Sequence, residues 1–156
     1  MDERWKPNVT VAAIVEHDGR YLLVEEETAD GRKLNNPAGH LDPGESLLDA
    51  VAREALEETA CAFRPTFLVG VYLARSQPEG TTYLRFAFAG EASAPIAGWK
   101  LDHGIVRTLW LTPAEIEVAR SRHRSPLLWR CVQDHRAGRR YPLEALVSDP
   151  SLGAEL

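Results

Sequence analysis

Two cysteines and one methionine hold all the sulfur in this 156-residue chain. Cys61 and Cys131 lie far apart, and neither has a cysteine or histidine at zinc-ligand spacing. The sequence therefore indicates neither a disulfide framework nor a zinc site, and a reducing cytoplasm is the expected compartment. Long apolar runs are missing as well. The N-terminal stretch VTVAAIV is short and β-branched and follows mixed charges, which suits a strand and not a signal h-region or a membrane span. An excess of positive charge is also missing, since 18 Lys and Arg stand against 23 Asp and Glu, a formal charge of −5. Broad capture of a nucleic acid polymer or anionic lipid is not expected, and a polyanionic substrate would need locally supplied cations. Repeats, low-complexity tracts and a domain-sized linker do not occur. With 44% hydrophobic and 26% charged residues, the chain reads as one ordinary globular domain over residues 1–156.

What the chain does contain is ordered by its turn residues. The run from Val9 to Glu16 and the run RYLLVEEE read as strands joined by a hairpin turn at Asp18 and Gly19. Residues 30–44, rich in Gly, Asn and Pro, read as loop. A helix then starts at Ser46, a capping residue answered three positions on by Asp49. Leu48, Val51, Ala52 and Ala55 form its apolar stripe, with Glu54, Glu57 and Glu58 largely off it. TFLVGVYLA and TTYLRFAFAG read as strands joined through RSQPEG, where Pro78 is a turn residue, and IVRTLWL reads as a further strand. Two helices follow, one from Thr112 with Pro113 at its first position and one from Ser125 to Arg136. In the latter, Leu128, Cys131, Val132 and His135 share a face, which makes Cys131 a core residue and not a nucleophile. The expected class is α/β, a mixed sheet sandwiched between helices.

The acids of the first helix pose a chemical question. Glu54, Glu57 and Glu58 are spaced to share one face, where like charges repel and raise at least one pKa. Two readings answer it. Asp49, Arg53 and Glu57 can form a solvated ladder of i,i+4 pairs, or the carboxylates can hold a divalent cation, for which hard oxygen ligands suit Mg²⁺.

Wider spacing favours the second reading. Gly39, five residues, Glu45, seven residues and then REALEE (Arg53 to Glu58) follow the pattern G-x5-E-x7-R-E-U-x-E-E-x-G-U, with U apolar. The chain thereby resembles the Nudix hydrolases, and departs only at Ala60, where the pattern has glycine. If that residue is left-handed, alanine costs on the order of 1 kcal/mol that glycine avoids. The resemblance implies a Nudix fold and hydrolysis of phosphoric anhydrides with Mg²⁺, or Mn²⁺ in its place. It also implies Glu54, Glu57 and Glu58 as metal ligands and candidate general bases, the Gly39 carbonyl as a further ligand, and a structural Glu45–Arg53 pair.

The pieces KPNVTVAAIVE, YLLVEEE, NNPAGHLDPGESLLDAVAREALEET, YLRFAFAG and SPLLWRCVQDHRAGRRYPL extend the likeness to the NudJ-type branch, associated with nucleoside di- and triphosphates and thiamine-pathway pyrophosphates. The implied partner is a small organic pyrophosphate, with the protein a monomer or homodimer. Alternatives within the family are a non-catalytic nucleotide sensor and a pyrophosphatase for another substrate, such as a nucleotide sugar.

Outside the pattern, Glu25 and Glu26 are candidates for lining the pocket or for solvent-facing acids at a strand end. Asp102, with His103, is a candidate acid supporting metal or water, or a turn residue. Arg85 can reach a phosphate or point to solvent. Arg124, Arg130, Arg139 and Arg140 read as solvated charge, and Asn35 and Asn36 as structural.

Overall fold

Alternation decides the central sheet. Along strand β1 (Asn8–Ile14), Val11 and Ala13 face one apolar layer while Ala12 and Ile14 face another. Strand β7 (Thr82–Ala92) repeats this, with Phe86 and Phe88 on the first side and Ala87 and Ala89 on the second. A strand apolar on both sides must be covered on both. The two run parallel, and β5 (Ala38–His40) and β6 (Phe63–Arg75) flank them antiparallel, giving the mixed order β5-β1-β7-β6. Helix α1 (Leu47–Thr59) covers the first side through Ala50, Val51 and Ala55. Helices α2 (Pro113–Val118) and α3 (Leu127–Arg136) cover the second through Ile116, Leu128, Cys131 and Val132. The expected sheet between helices is present. This computed structural model describes residues 3–77 and 79–153, so Pro78 lies outside the described residues.

A second, wholly antiparallel sheet forms around β3 (Arg20–Thr28), which pairs with β2 (Glu16–His17), β4 (Gly31–Asn35) and β8 (Ile105–Leu111). Leu23 and Leu34 carry it onto the second apolar layer. The hairpin turn falls at Asp18 and Gly19, with φ of 50° and 78°. The expected loop over 30–44 is corrected, because it contains β4 and β5. Its Gly, Asn and Pro content describes the connections, while pairing with β3 and β1 overrides local preference for the residues between.

Helix α1 begins as expected, with Ser46 Oγ accepting from the Asp49 backbone N–H at 3.1 Å. Its buried side differs from the expected stripe. Ala50, Val51, Glu54, Ala55, Glu58 and Thr59 are buried, while Leu48 and Ala52 are only partly covered. The helix packs on β1, β5 and β6 together, so a wider face is enclosed and takes two glutamates with it. Its last turn contains no basic residue. Among the described residues, no helix is long and apolar enough to cross a membrane.

Ala60 ends α1 with φ 63° and ψ 10°, in the left-handed region. Its N–H donates to the Leu56 carbonyl and its own carbonyl accepts from the Ile96 N–H, so the conformation is fixed from both sides. Ala60→Gly is expected to raise stability by about 0.5–1 kcal/mol, the relieved strain exceeding the lost methyl contact and the added unfolded-chain entropy. A thermal melt checks this, and a lower melting temperature counts against it.

Candidate active site

Arg53, on α1, organises the acids around it. Its Nη2 and Nε donate to Glu45 Oε1 and Oε2 at 2.7 and 3.0 Å, a bidentate pair that ties the loop before α1 to the helix. The same Nη2 donates to the His40 carbonyl at 2.9 Å, and Nη1 donates to Glu54 Oε1 at 2.8 Å and Glu57 Oε2 at 3.1 Å. Glu45 is further fixed by the Asp42 N–H, and its pKa lies below the usual carboxylate value chiefly through Arg53. Asp49 is not a partner of Arg53, so the expected ladder reduces to Arg53–Glu57 plus the loop acids.

Gly39 makes room for one of these acids. A Cβ built there would lie 2.1 Å from Glu54 Cδ, so the glutamate carboxyl occupies the space a side chain would need. Glu58 takes a different donor, the Ala38 N–H at 2.8 Å. Both glutamates are buried, and burial raises both pKa values. For Glu54, Arg53 opposes the rise, while Glu57 and Asp102 add to it. For Glu58, burial is the largest cause, the Ala38 N–H opposes it, and Glu26, Glu54 and Asp102 add to it, so its pKa reaches about 9.

The expected convergence of Glu54, Glu57 and Glu58 with Gly39 is corrected in form. Among the described residues, no three His, Cys, Asp or Glu side chains are gathered as a ready cation site. The reason is electrostatic, in that like charges separate and take the nearest donors, Arg53 for two and a backbone N–H for the third. The donor set is nevertheless hard oxygen throughout, beside a glycine cradle, and this chemistry fits a divalent cation competing with Arg53 for the carboxylates.

The raised pKa of Glu58 has a stability consequence. An acid whose folded pKa exceeds its unfolded value of 4.5 destabilises the fold as pH rises from 4.5 towards 9. In chelator, Glu58→Gln is therefore expected to be more stable than the unaltered protein, by on the order of 1–3 kcal/mol near pH 7 and by little near pH 4.5. Denaturant titrations at the two pH values check this, and a gap independent of pH contradicts it.

The other expected residues divide. Asp102 is exposed, its N–H donates to the Glu57 carbonyl at 2.9 Å, and its charge acts on Glu54 and Glu58. Glu26 is buried beside Glu58 and pairs with Arg124. Glu25 is buried to 2% and pairs with Arg107 and Arg122, with Arg32 at 3.9 Å. The solvent-facing reading of both acids is thereby corrected. Arg124, read as solvated charge, is half-exposed but anchored to Glu26. The clustering of arginines in RSRHRS was the signal that could have revealed these partners. Arg85 does not point to solvent. It is buried to 5% and donates to Asn36 Oδ1 at 2.8 Å and Asn35 Oδ1 at 3.3 Å.

Comparison with known proteins places the chain in a family. The model of the NUDIX domain matches residues 5–129. Phosphatase NudJ of Escherichia coli strain K12 is 39% identical over 143 residues, covering 91% of this chain and 92% of that protein. A solved Nudix hydrolase from Nitrosomonas europaea is 50% identical with a TM-score of 0.89, covering 92% of this chain and 98% of that one. The Nudix domain of Shewanella oneidensis NrtR, solved with ADP ribose, shares the fold at a TM-score of 0.67 and 17% identity, covering 86% of this chain and 90% of its own. With its helix of acids clamped by Arg53 and a likeness to NudJ along nearly its whole length, the chain belongs to the Nudix family, as a hydrolase acting on phosphoric anhydrides.

Proposed function

We propose that this protein is a Mg²⁺-dependent hydrolase that cleaves a phosphoanhydride bond in a small organic pyrophosphate, either a nucleoside di- or triphosphate or a thiamine-pathway diphosphate. The observation that carries this reading is the Gly39 cradle, whose space the Glu54 carboxyl fills, with Glu57 on the same Arg53 nitrogen as Glu54 and Glu58 on the adjoining Ala38 N–H. Glu54, Glu57, Glu58 and the Gly39 carbonyl would hold the ion, with Mn²⁺ able to substitute. When bound, the ion supplies charge neutralisation at the phosphates and a lower pKa for its water. Arg53 keeps Glu54 and Glu57 oriented through one nitrogen while the Glu45 pair holds the guanidinium in place. The proton of the attacking water passes to one of the three glutamates, of which Glu57 has the more open side chain, 35% exposed against 12% for Glu54. Positioning of this kind accounts for most of the rate in phosphoryl chemistry. The protein is proposed to work in the cytoplasm as a single domain, monomeric or homodimeric.

A panel of nucleotides and thiamine diphosphate tests the proposal. Phosphate or pyrophosphate release is expected with Mg²⁺ and not with chelator. Binding without turnover across the panel would instead make the protein a nucleotide sensor.

A further inference from the structure

Residues 139–153 follow α3 and lie beyond residues 5–129, over which the family's domain matches. They cross the domain from one side to the other. Sheet order leaves β6 at an edge, with Phe67 facing the layer of α2 and α3 and Leu68 facing that of α1. Arg140 stands on the first side, its guanidinium carbon 4.2 Å from the centre of the Phe67 ring. Tyr141 meets the edge itself. Its N–H donates to the Leu68 carbonyl and its carbonyl accepts from the Leu68 N–H, each at 2.9 Å, an antiparallel bridge that satisfies backbone groups an edge strand leaves open. Leu143 and Leu146 then lie against the apolar cluster on the α1 side. The segment has passed round the edge of the sheet.

Its destination is the loop before α1. Leu143 and Leu146 share their apolar cluster with Leu41, Leu47 and Leu48, which flank that loop. Further on, a 3-10 turn over Pro150–Gly153 brings the Leu152 carbonyl oxygen to 3.6 Å from where a Cβ on Gly44 would sit. The loop has few other supports. Leu41 anchors its entry, donating to the Val9 carbonyl. From Asp42 to Glu45, the backbone hydrogen bonds found among the described residues stay inside the loop, from the Glu45 N–H to the Asp42 carbonyl and from the Asp42 N–H to Glu45 Oε1.

The position of this loop decides how Arg53 is shared. Asp42, Glu45 and the His40 carbonyl hold Nη2 and Nε, while Glu54 and Glu57 share Nη1. Were Asp42 and Glu45 to move away, the guanidinium would be left to Glu54 and Glu57. A cation would then face a stronger competitor for those two carboxylates.

We propose that residues 140–153 are a strap that positions the Arg53 clamp. By holding the loop that carries Asp42 and Glu45, the strap keeps the guanidinium from collapsing onto Glu54 and Glu57 and so leaves these carboxylates to the divalent cation. Leu143 and Leu146 are its positioning residues. The inference rests on the hydrolase reading above for the identity of the cation site.

The test uses Mn²⁺ alone as the probe, its dissociation constant read by electron paramagnetic resonance without substrate. Beside it, kcat is measured at saturating Mg²⁺ for the nucleotide that the unaltered protein turns over fastest. Leu146→Ser loosens the strap, Glu45→Gln breaks the clamp and a double variant combines them, with thermal melts to establish that each is folded. Leu146→Ser is expected to weaken Mn²⁺ binding and to lower kcat by roughly 5- to 10-fold each. Leu146→Met, which keeps the apolar contact, should stay within about twofold of the unaltered protein. In the Glu45→Gln background the serine should add less than about twofold, because a residue acting through another has no separate effect once that other is removed. Unchanged Mn²⁺ affinity in a folded Leu146→Ser variant overturns the proposal, and so does an equal loss in both backgrounds, which marks general loosening. If Leu146→Ser does not fold, Tyr141→Pro, which removes the N–H held by Leu68, replaces it with the same expectations. Mn²⁺ affinities that follow these expectations without any Mg²⁺-dependent turnover would uphold the strap and overturn the hydrolase reading. An unaltered protein that binds no Mn²⁺ overturns both.

Discussion

Glu57→Gln is expected to reduce kcat by roughly 10³-fold or more while the melting temperature moves by only a few degrees. Glutamine keeps the length and a carbonyl oxygen for Arg53 but removes the negative charge that a cation or a water proton requires. Little stability is at stake. The Arg53–Glu57 contact, at 3.1 Å, joins two partly exposed side chains, and such pairs contribute about 0–1 kcal/mol. Arg53 also retains Glu45, Glu54 and the His40 carbonyl. Steady-state kinetics on the preferred substrate, beside circular dichroism melts, separate the two effects. Turnover within a few-fold of normal would remove Glu57 from the chemistry.

Gly39→Ala is expected to reduce turnover by roughly 10²-fold through a single methyl group. The new carbon would meet Glu54 Cδ at 2.1 Å and both carboxyl oxygens at 2.2 and 2.3 Å, so the glutamate head must leave its place. The backbone need not follow, because the clashing atoms end a flexible side chain and Gly39 does not lie in the left-handed region. Stability should therefore change by less than about 1.5 kcal/mol. The displaced carboxylate gives up its 2.8 Å bond from Arg53 and misplaces a proposed ligand. Full activity in this variant would show that the position of Glu54 does not matter. Restored activity in the double variant Gly39→Ala, Glu54→Asp, with its shorter side chain, would show that the effect is steric.

Much of this was legible in the residues, and the remainder failed for identifiable reasons. The capping serine at Ser46, the hairpin turn at Asp18 and Gly19 and the strands rich in Val, Ile and Phe carry local signals, and each element stands where those signals place it. Strands β4 and β5 were hidden because their residues favour turns and become strands only through partners on β3 and β1. Burial of Glu54 and Glu58 was hidden because helical periodicity ranks residues by polarity. What encloses these two is a neighbouring strand whose glycine leaves space for a carboxyl group. Glu25 and Glu26 each have an arginine partner roughly a hundred positions away, and no local pattern reports a pairing of that range. The row of His40, Thr10 and Arg85 across the sheet was equally out of reach, since only strand register creates it.

The acids occupy the end of α1 least suited to them. Peptide dipoles sum along a helix to about half a negative charge at its C-terminus, which favours cationic side chains there. This helix instead places three glutamates in its second half and no base in its last turn. The helix is thus electrically overdrawn towards its exit, and its own backbone field adds to the pull of the carboxylates on any approaching cation. Lengthening the helix or capping it with a lysine would weaken that field without touching a single glutamate.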